Sequence, residues 1–384
     1  MYQTKIVKSY KFKIKISKAV ETKFEQTLNL CRELYNSAIQ ERRDAWKLNH
    51  VSLNYHIQRA QLPDIKQIRP EIEEIYSQVL QDVLRRVSKT FDAYFRRLSR
   101  GEKAGYPRFK GKNFFNSFTY VQSGFKIVGN KLTLSKIGSM RVHLSREIVG
   151  TIKTCTIKRE VSGWFVIFAV EDQPIRLPHS AKAIGIDVGI ENYATYTEGE
   201  PTPNPRFFES LQSKLRVAQR TVSRRKKGSQ RRRQAVLKLR KIHQKIKNCR
   251  NDFQHKLSTR IVSNYGVIAV EDLNIKRMSR GILSKQILDA SWSSFLYKIG
   301  YKAENAGRDF WKVNPNGTSQ TCTCGEKVKK KLSVRWHHCP GCGLSAHRDF
   351  VSAQVILNRA GLNPSDAKVN RLDYALSENP LPNL

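Results

Sequence analysis

Acidic residues are scarce in this chain of 384 residues. It holds 32 Asp and Glu against 70 Lys and Arg, which gives a formal net charge of +38 at pH 7. An ordinary soluble enzyme has no need of such an excess, whereas a protein that binds phosphate backbones gains affinity from it by releasing counterions. A nucleic acid is therefore the first partner that the composition predicts, ahead of a basic surface that serves solubility alone.

Long apolar runs and a secretory leader are absent as well. The longest apolar run, residues 164–170, is too short to span a bilayer, and no lipidation signal is present. Residues 1–17 alternate basic with apolar side chains and lack the apolar core of a signal peptide. We therefore expect a cytoplasmic protein without a membrane partner.

Cysteines are few, and most of them are clustered. Four of the seven form two close pairs that are each followed by glycine: Cys322 and Cys324, then Cys339 and Cys342. An odd number with four in one cluster fits a metal site in a reducing compartment better than a disulfide framework. The Cys-Pro-Gly-Cys turn of the second pair is typical of a zinc knuckle, in which backbone N–H groups reach the thiolates.

The first cysteine pair departs from the usual spacing, because one residue separates Cys322 from Cys324 where knuckles usually have two. His337 and His338 are close enough in sequence to replace a poorly placed thiolate. Four protein ligands leave no open coordination position, so we predict one structural Zn²⁺.

Hydrophobic periodicity predicts an α+β chain of about two or three domains. Strand-like alternation over residues 2–17 changes to helical spacing from Lys18, and a second helical region covers residues 70–98. One face of that second region carries six apolar residues at helical spacing: Val79, Leu80, Val83, Val87, Phe91 and Phe95. Strand patterns return over residues 114–172, so a helical block interrupts a β domain that begins at the N-terminus.

The second half of the chain has a different order of elements. A buried strand that ends at Asp187 is followed by a hairpin partner, a long helix, a strand that ends at Glu271, a helix, another strand and a last helix that opens at Asp349. This order is typical of an RNase H-like fold. In such a fold the two strand ends and the helix start can converge at one edge of the sheet.

Three carboxylates, Asp187, Glu271 and Asp349, therefore form the candidate catalytic site. Mg²⁺ prefers oxygen ligands, and two such ions about 3.5–4 Å apart share carboxylates when a phosphodiester is hydrolysed. Taken singly, Asp187 also fits a turn residue, Glu271 a solvent-exposed strand end, and Asp349 a helix cap. Glu271 is preferred to Asp272 because strand side chains alternate, so only one of the two faces the first carboxylate.

Positive charge is concentrated in residues 214–250, which contain sixteen Lys or Arg and no Asp or Glu. A solvated helix face is the plain alternative. Unrelieved positive charges repel one another, however, and an anionic polymer relieves that repulsion. Seven of these side chains are candidate nucleic-acid-binding residues: Arg224, Arg225, Lys226, Lys227, Arg231, Arg232 and Arg233.

Several ordered motifs resemble one known family over nearly the whole chain. They are YPRFK at 106–110, GIDVGI at 185–190, SRRKKGS at 223–229, VIAVEDLN at 267–274, NPNGTSQTC at 314–322, CPGCGL at 339–344 and HRD at 347–349. They are similar to the motifs of TnpB, the insertion-sequence-encoded, RNA-guided DNA nuclease regarded as an ancestor of type V CRISPR effectors. The two departures are the shortened first cysteine pair and Val351, which stands where the family typically has Asn.

The resemblance implies a domain organisation. A wedge-type β-barrel domain (1–17 and 112–178) would be split by a helical recognition domain (18–111). A RuvC-like nuclease domain (181–313 and 346–362) would carry a zinc-binding, target-nucleic-acid-binding insert (314–345), and residues 363–384 would form a flexible tail.

The resemblance also implies site residues and partners. By position, Asp187, Glu271 and Asp349 match the Mg²⁺-binding RuvC carboxylates, and the four clustered cysteines match the zinc ligands. A guide RNA from the transposon end would direct cleavage of double-stranded DNA beside a short transposon-adjacent motif. Gln78 and Gln81 are candidate readers of that motif, because amide side chains can read adenine edges. We expect a monomer, associated with the nucleoid of a prokaryote.

Two other functions stay open. A nuclease-deficient relative would bind DNA through its guide and act as a repressor, but such relatives usually lose the carboxylates that are all present here. The second is a role in transposition: a transposase that performs strand transfer itself would use the same RuvC-like metal chemistry, and a transposase accessory protein is the further form of this alternative.

Overall fold

The structure, a computed structural model, describes residues 5–331 and 334–361. The predicted tail at 363–384 therefore lies outside the described residues. The α+β chain divides into two compact units, Met1–Gln173 and Pro174–Leu384. None of the helices in the described ranges combines the length and the apolar composition of a membrane-spanning segment.

The first unit contains one antiparallel sheet and a block of helices. Its strands are β1 (Ile6–Lys15), β2 (Ser117–Tyr120), β3 (Phe125–Val128), β4 (Lys131–Leu134), β5 (Gly138–His143), β6 (Thr151–Glu160) and β7 (Gly163–Asp172). Between β1 and β2 the chain forms α1 (Lys18–Asn49), α2 (Tyr55–Ala60), α3 (Leu62–Ile68), a 3₁₀ helix (Pro70–Glu74) and α4 (Ser77–Ser99). The strand order is β2-β6-β7-β1-β5-β4-β3, so β1 lies in the middle of the sheet.

Helices α1 and α4 share one hydrophobic core with the sheet of the first unit. Helix α1 begins where the Ser17 side chain accepts a hydrogen bond from the Val20 N–H. The Phe24 ring packs 5.5 Å from that of Phe118 and 4.9 Å from that of Trp164, between ring centroids. Phe95 belongs to the apolar face of α4 that the spacing predicts, but its side chain is 59% exposed. Its ring contacts neighbouring aromatic rings in the last turns of α4 instead of the core.

The second unit alternates strands with helices. Its strands are β8 (Ala183–Asp187), β9 (Asn192–Tyr196), β10 (Thr202–Pro203), β11 (Val267–Glu271), β12 (Asp309–Val313), β13 (Trp336–His338) and β14 (Ser345–His347). Its helices are α5 (Phe207–Arg224), α6 (Gln230–Asn264), α7 (Ile275–Met278), α8 (Ser284–Ala290), α9 (Trp292–Ala306), a 3₁₀ helix (Thr318–Gln320) and α10 (Arg348–Ala360).

Five strands of the second unit form a mixed sheet in the order β10-β9-β8-β11-β12. Strands β8, β11 and β12 are parallel, whereas β9 pairs with β8 as the predicted antiparallel hairpin. Ile268 and Val270 pack with residues of α6, α8 and α9, while Ala269 packs with Ile356 and Ala360 of α10. Because side chains alternate along a strand, the two faces of this sheet carry different helices.

Gly185 allows α10 to lie directly against β8. A β-carbon added at Gly185 would lie 2.1 Å from the Ala353 carbonyl oxygen and 3.0 Å from the Leu357 Cβ. A larger residue therefore does not fit between this strand and this helix without a shift of the backbone. The same close contact brings the first turn of α10 to the carboxyl end of β8.

Candidate active site

The three predicted carboxylates meet at one edge of the mixed sheet. Asp187 is the last residue of β8 and Glu271 the last residue of the neighbouring parallel strand β11. Gly185 and Ala269 both face α10. Asp187 and Glu271 lie two residues further along the same strands, and because side chains alternate along a strand, both point to the face that α10 covers. Asp349 is the second residue of α10 and is 9% exposed.

The electrostatics of this edge reflect that convergence. Burial, together with the negative charges of Glu271 and Asp349, raises the pKa of Asp187 well above its usual range, and Arg348 only partly offsets the effect. Burial also raises the pKa of Glu271, against the opposing effects of Thr318 and Arg359. Neighbouring carboxylates that raise one another's pKa are stabilised in their ionised form by a cation placed among them.

Thr318 contacts the candidate site but was not predicted from the sequence. It is 3% exposed in the 3₁₀ helix after β12, and its hydroxyl donates a hydrogen bond to Oε1 of Glu271. The loop before it is held by Arg359 of α10, whose guanidinium donates to the Asn314 and Asn316 carbonyl oxygens. The NPNGTS motif contained Thr318, but a hydroxyl residue in a loop carries no signal of its target.

Two arginines contact Asp349, and neither was predicted as a site residue from the sequence. Arg348 Nε lies 3.4 Å from Asp349 Oδ1, and Arg335 lies 3.6 Å from Oδ2. Arg335 also lies 3.0 Å from a carboxylate oxygen of Glu191, and its side chain is 46% exposed. Arg335 thus places an exposed guanidinium beside the third carboxylate.

The oxygen donors of this edge fit Mg²⁺ in type. Within the described ranges, the four cysteines are the one group of potential ligands whose donor atoms all lie within 4.8 Å of one another. The three carboxylates are therefore spaced more widely than the ligands of one tightly held ion.

The four cysteine sulfurs fit a single tetrahedral ion. Sγ of Cys322 lies 3.6 Å from Sγ of Cys342, and the Cys324 and Cys339 sulfurs are separated by the same distance. A tetrahedral ion with Zn–S bonds of about 2.3 Å requires sulfur separations of about 3.8 Å. The Cys322–Cys324 pair therefore reaches the cluster despite its shortened spacing.

Backbone N–H groups surround these sulfurs. Those of Cys324, Glu326 and Leu344 donate to the sulfurs of Cys322, Cys324 and Cys342, respectively. Burial raises the pKa of the Cys322 thiol, but the Cys324 backbone N–H, His337 and the neighbouring cysteines lower it to about 6. A thiolate is the form that binds a metal, so this corner of the cluster is prepared for one.

The seven candidate nucleic-acid-binding residues lie at the tip of one helical hairpin. Arg224 ends α5, the next three cations lie in the connecting loop, and the last three lie in the first turn of α6. All seven are exposed except Arg232, which is half-buried. The hairpin tip therefore presents a dense positive surface to solvent.

Gln78 and Gln81 have different surroundings on α4. The Gln78 amide accepts hydrogen bonds from the backbone N–H groups of Gln122 and Ser123 and donates to the Ser123 hydroxyl, so it holds the loop before β3. Gln81 lines a cavity of ≈ 410 Å³ together with the cationic residues Arg59 and Lys66. Of the two, Gln81 has the surroundings of a ligand-facing residue.

The Val351 side chain does not point toward the three carboxylates. Two residues along a helix correspond to a rotation of about 200°, so Val351 and Asp349 lie on nearly opposite sides of α10. Val351 is 2% exposed. The apolar residue at this position therefore fits a buried environment.

Three family profiles match successive parts of the chain. A profile described as "Probable transposase" (OrfB_IS605) matches residues 166–281, and one for the Cas12f1-like TNB domain matches residues 292–356. A helix-turn-helix profile of the OrfB_IS605 type matches residues 1–50. In the described part of that segment, this chain forms the strand β1 and the single helix α1.

Two relatives cover almost the whole chain. A protein of Streptomyces pristinaespiralis named "Putative RNA-guided DNA endonuclease" is 33% identical, covering 95% of this chain and 91% of the relative. The protein of Escherichia coli (strain K12) named "Putative RNA-guided DNA endonuclease InsQ" is 27% identical, covering 92% of each. Among solved structures, a Cas12f1 chain from a complex with sgRNA and target DNA has a similar fold, with a TM-score of 0.58 at 14% identity, covering 91% of this chain and 84% of that one.

Proposed function

The chain belongs to the TnpB family, and we propose that it is a Mg²⁺-dependent, RNA-guided DNA endonuclease that cleaves target DNA beside a short transposon-adjacent motif. The observation that carries the proposal is the convergence of Asp187, Glu271 and Asp349 at one edge of the mixed sheet. The names of the full-length relatives support the same activity.

Asp187, Glu271 and Asp349 would hold the Mg²⁺ ions in a RuvC-type, RNase H-like site. When bound, two such ions supply an activated water and stabilise the leaving oxygen of the phosphodiester. Thr318 orients Glu271 through its hydroxyl. Arg335 neutralises Asp349 in the structure described, and its exposed guanidinium is available to the anionic DNA strand when cations occupy the carboxylates.

One Zn²⁺ would be bound by the four cysteine thiolates as a structural ion. The cluster lies between the 3₁₀ helix that carries Thr318 and the helix that carries Asp349. Residues 314–345 thus form the proposed zinc-ribbon insert between the second and third carboxylates. A metal there would join the two cysteine pairs. It would thereby restrain Thr318, which precedes the first pair, and Arg335, which lies between the pairs.

The remaining surfaces fit the two nucleic acids. We assign residues 1–17 and 112–178 to a wedge-type domain, 18–111 to helical recognition, and 181–313 with 346–362 to the nuclease. The cationic tip between α5 and α6 would bind phosphates of the guide or target strand. Base pairing with the guide would select the sequence, while Gln81 is the better placed of the two glutamines to read the adjacent motif.

Cleavage by the purified complex tests the proposal. The protein is co-expressed with RNA from its transposon end and supplied with plasmids that carry a guide match beside randomised sequence. Mg²⁺-dependent cutting beside one short motif is the expected result, and Asp187→Ala should abolish it. Asp272→Ala is the matched control, because this carboxylate is 66% exposed and pairs with Lys312.

Two outcomes would contradict the endonuclease proposal. Guide-dependent binding without cutting at any Mg²⁺ concentration would favour a nuclease-deficient DNA-binding protein. A preparation that retains no RNA would remove both the guided nuclease and the guided repressor.

A further inference from the structure

His337 is a fully buried histidine beside the cysteine cluster. Its side chain is 0% exposed in β13, whereas the adjacent His338 is exposed and hydrogen-bonds the Ser345 hydroxyl through Nδ1 at 3.0 Å. A buried imidazole needs partners for both ring nitrogens, because an unpaired polar atom away from water is costly.

One ring nitrogen of His337 is occupied by Lys330. The Lys330 ammonium contacts Nδ1 of His337. An ammonium group can only donate, so Nδ1 must accept, and the imidazole then carries its proton on Nε2. Lys330 therefore sets the tautomer of a histidine that is closed off from solvent.

The other ring nitrogen of His337, Nε2, is buried and has no hydrogen-bond partner among the described residues. The imidazole lies near enough to the Cys322 sulfur to lower the pKa of that thiol, and because Nδ1 contacts Lys330, Nε2 is the ring nitrogen that is free to face the sulfur. Lys330 is also close enough to Cys322 and Cys339 to interact with their charges.

We propose that Lys330 and His337 form a hydrogen-bond relay in which Lys330 donates to Nδ1 and the Nε2–H donates to the Cys322 thiolate, making His337 a positioning residue of the metal cluster. Four thiolates around Zn²⁺ leave two excess negative charges, which a donor backed by an ammonium group offsets. The relay acts on the shortened Cys322–Cys324 pair, whose spacing is the unusual one. It rests on the proposed zinc site.

Zinc release from the full-length protein tests the relay. His337→Ala should release Zn²⁺ to a chelator 10–100-fold more readily, the usual effect of removing an outer hydrogen-bond partner of a metal ligand. His337→Gln should restore most of the affinity, because a glutamine amide can donate from nearly the same place. His338→Ala is the matched control and should release zinc as the wild type does.

Cobalt substitution separates the relay from a purely structural role. With Co²⁺, wild type and His337→Ala should both show the absorption of a four-sulfur tetrahedral site, with the sulfur-to-metal band shifted in the variant. If His337→Ala does not fold, Lys330→Met leaves the imidazole in place and should shift the same band and release zinc faster.

Each other result overturns part of the scheme. Equal zinc release from wild type and His337→Ala would refute the relay while leaving the zinc site intact. A wild-type spectrum of three sulfurs and one nitrogen would make His337 a ligand instead. Wild-type protein without zinc in elemental analysis would remove the proposed zinc site itself.

Discussion

Gly185→Ala should disturb the candidate active site through a single added methyl group. The new β-carbon would lie 2.1 Å from the Ala353 carbonyl oxygen and 2.9 Å from the Thr197 Cγ2. Carbon and carbonyl oxygen normally approach to about 3.3 Å, so α10 and β8 must separate by about 1 Å. Ala353 lies one turn after Asp349, and Asp349 therefore moves with the helix.

The expected effects of Gly185→Ala follow from that displacement. A shift of about 1 Å in a catalytic group can lower the cleavage rate about 100-fold. Overpacking costs about 1–3 kcal/mol, and each kcal/mol lowers the melting temperature of a domain of this size by about 2–4 °C. Both quantities can be measured on one preparation, by single-turnover plasmid cleavage at saturating Mg²⁺ and by thermal unfolding.

Gly281→Ala provides the matched control for Gly185→Ala. It lies in the same unit, and its added β-carbon would meet only the Met278 carbonyl oxygen at an ordinary 3.6 Å. This control should keep wild-type stability and cleavage. Wild-type cleavage and melting by Gly185→Ala would show that α10 does not press on β8, and the account of how Asp349 is placed would then be wrong.

Two further predictions concern Thr318 and Lys298. Thr318→Val removes the hydrogen bond to Glu271 and should raise the Mg²⁺ concentration for half-maximal cleavage about 10-fold. Thr318→Ser retains a hydroxyl and should keep the wild-type Mg²⁺ requirement. Equal Mg²⁺ curves for wild type and both variants would contradict the role of the hydroxyl. Burial lowers the pKa of Lys298 from 10.5 to about 8, so the folded protein loses this proton before the unfolded one does. Below about pH 8 the buried ammonium of Lys298 therefore lowers the free energy of unfolding. As the pH rises from about 8 to about 10.5, the free energy of unfolding should increase by up to about 3 kcal/mol. Urea unfolding of wild type and Lys298→Met should reveal it as a pH-dependent difference, and a constant difference would refute the shift.

Much of the local structure was readable from the sequence because it depends on near neighbours. Alternation predicted the strands, and 3.6-residue spacing predicted α1 and α4, since both patterns describe one buried face of one element. Phe95 shows where this fails, because the period of a helix does not tell where the core beside it ends. The position of β1 between β5 and β7 was equally hidden, since sheet order depends on pairings between distant segments.

Composition and spacing along the chain identify the residues that can do chemistry: three carboxylates at element ends, four cysteines at knuckle spacing, and a run of cations without acids. The groups that surround these residues are set by the folded chain. Thr318 contacts Glu271, Arg335 contacts Asp349, and Lys330 contacts His337 across loops whose residues have no periodicity. Such contacts arise when strands pair and α10 packs against Gly185, because this packing brings together side chains that are distant along the chain.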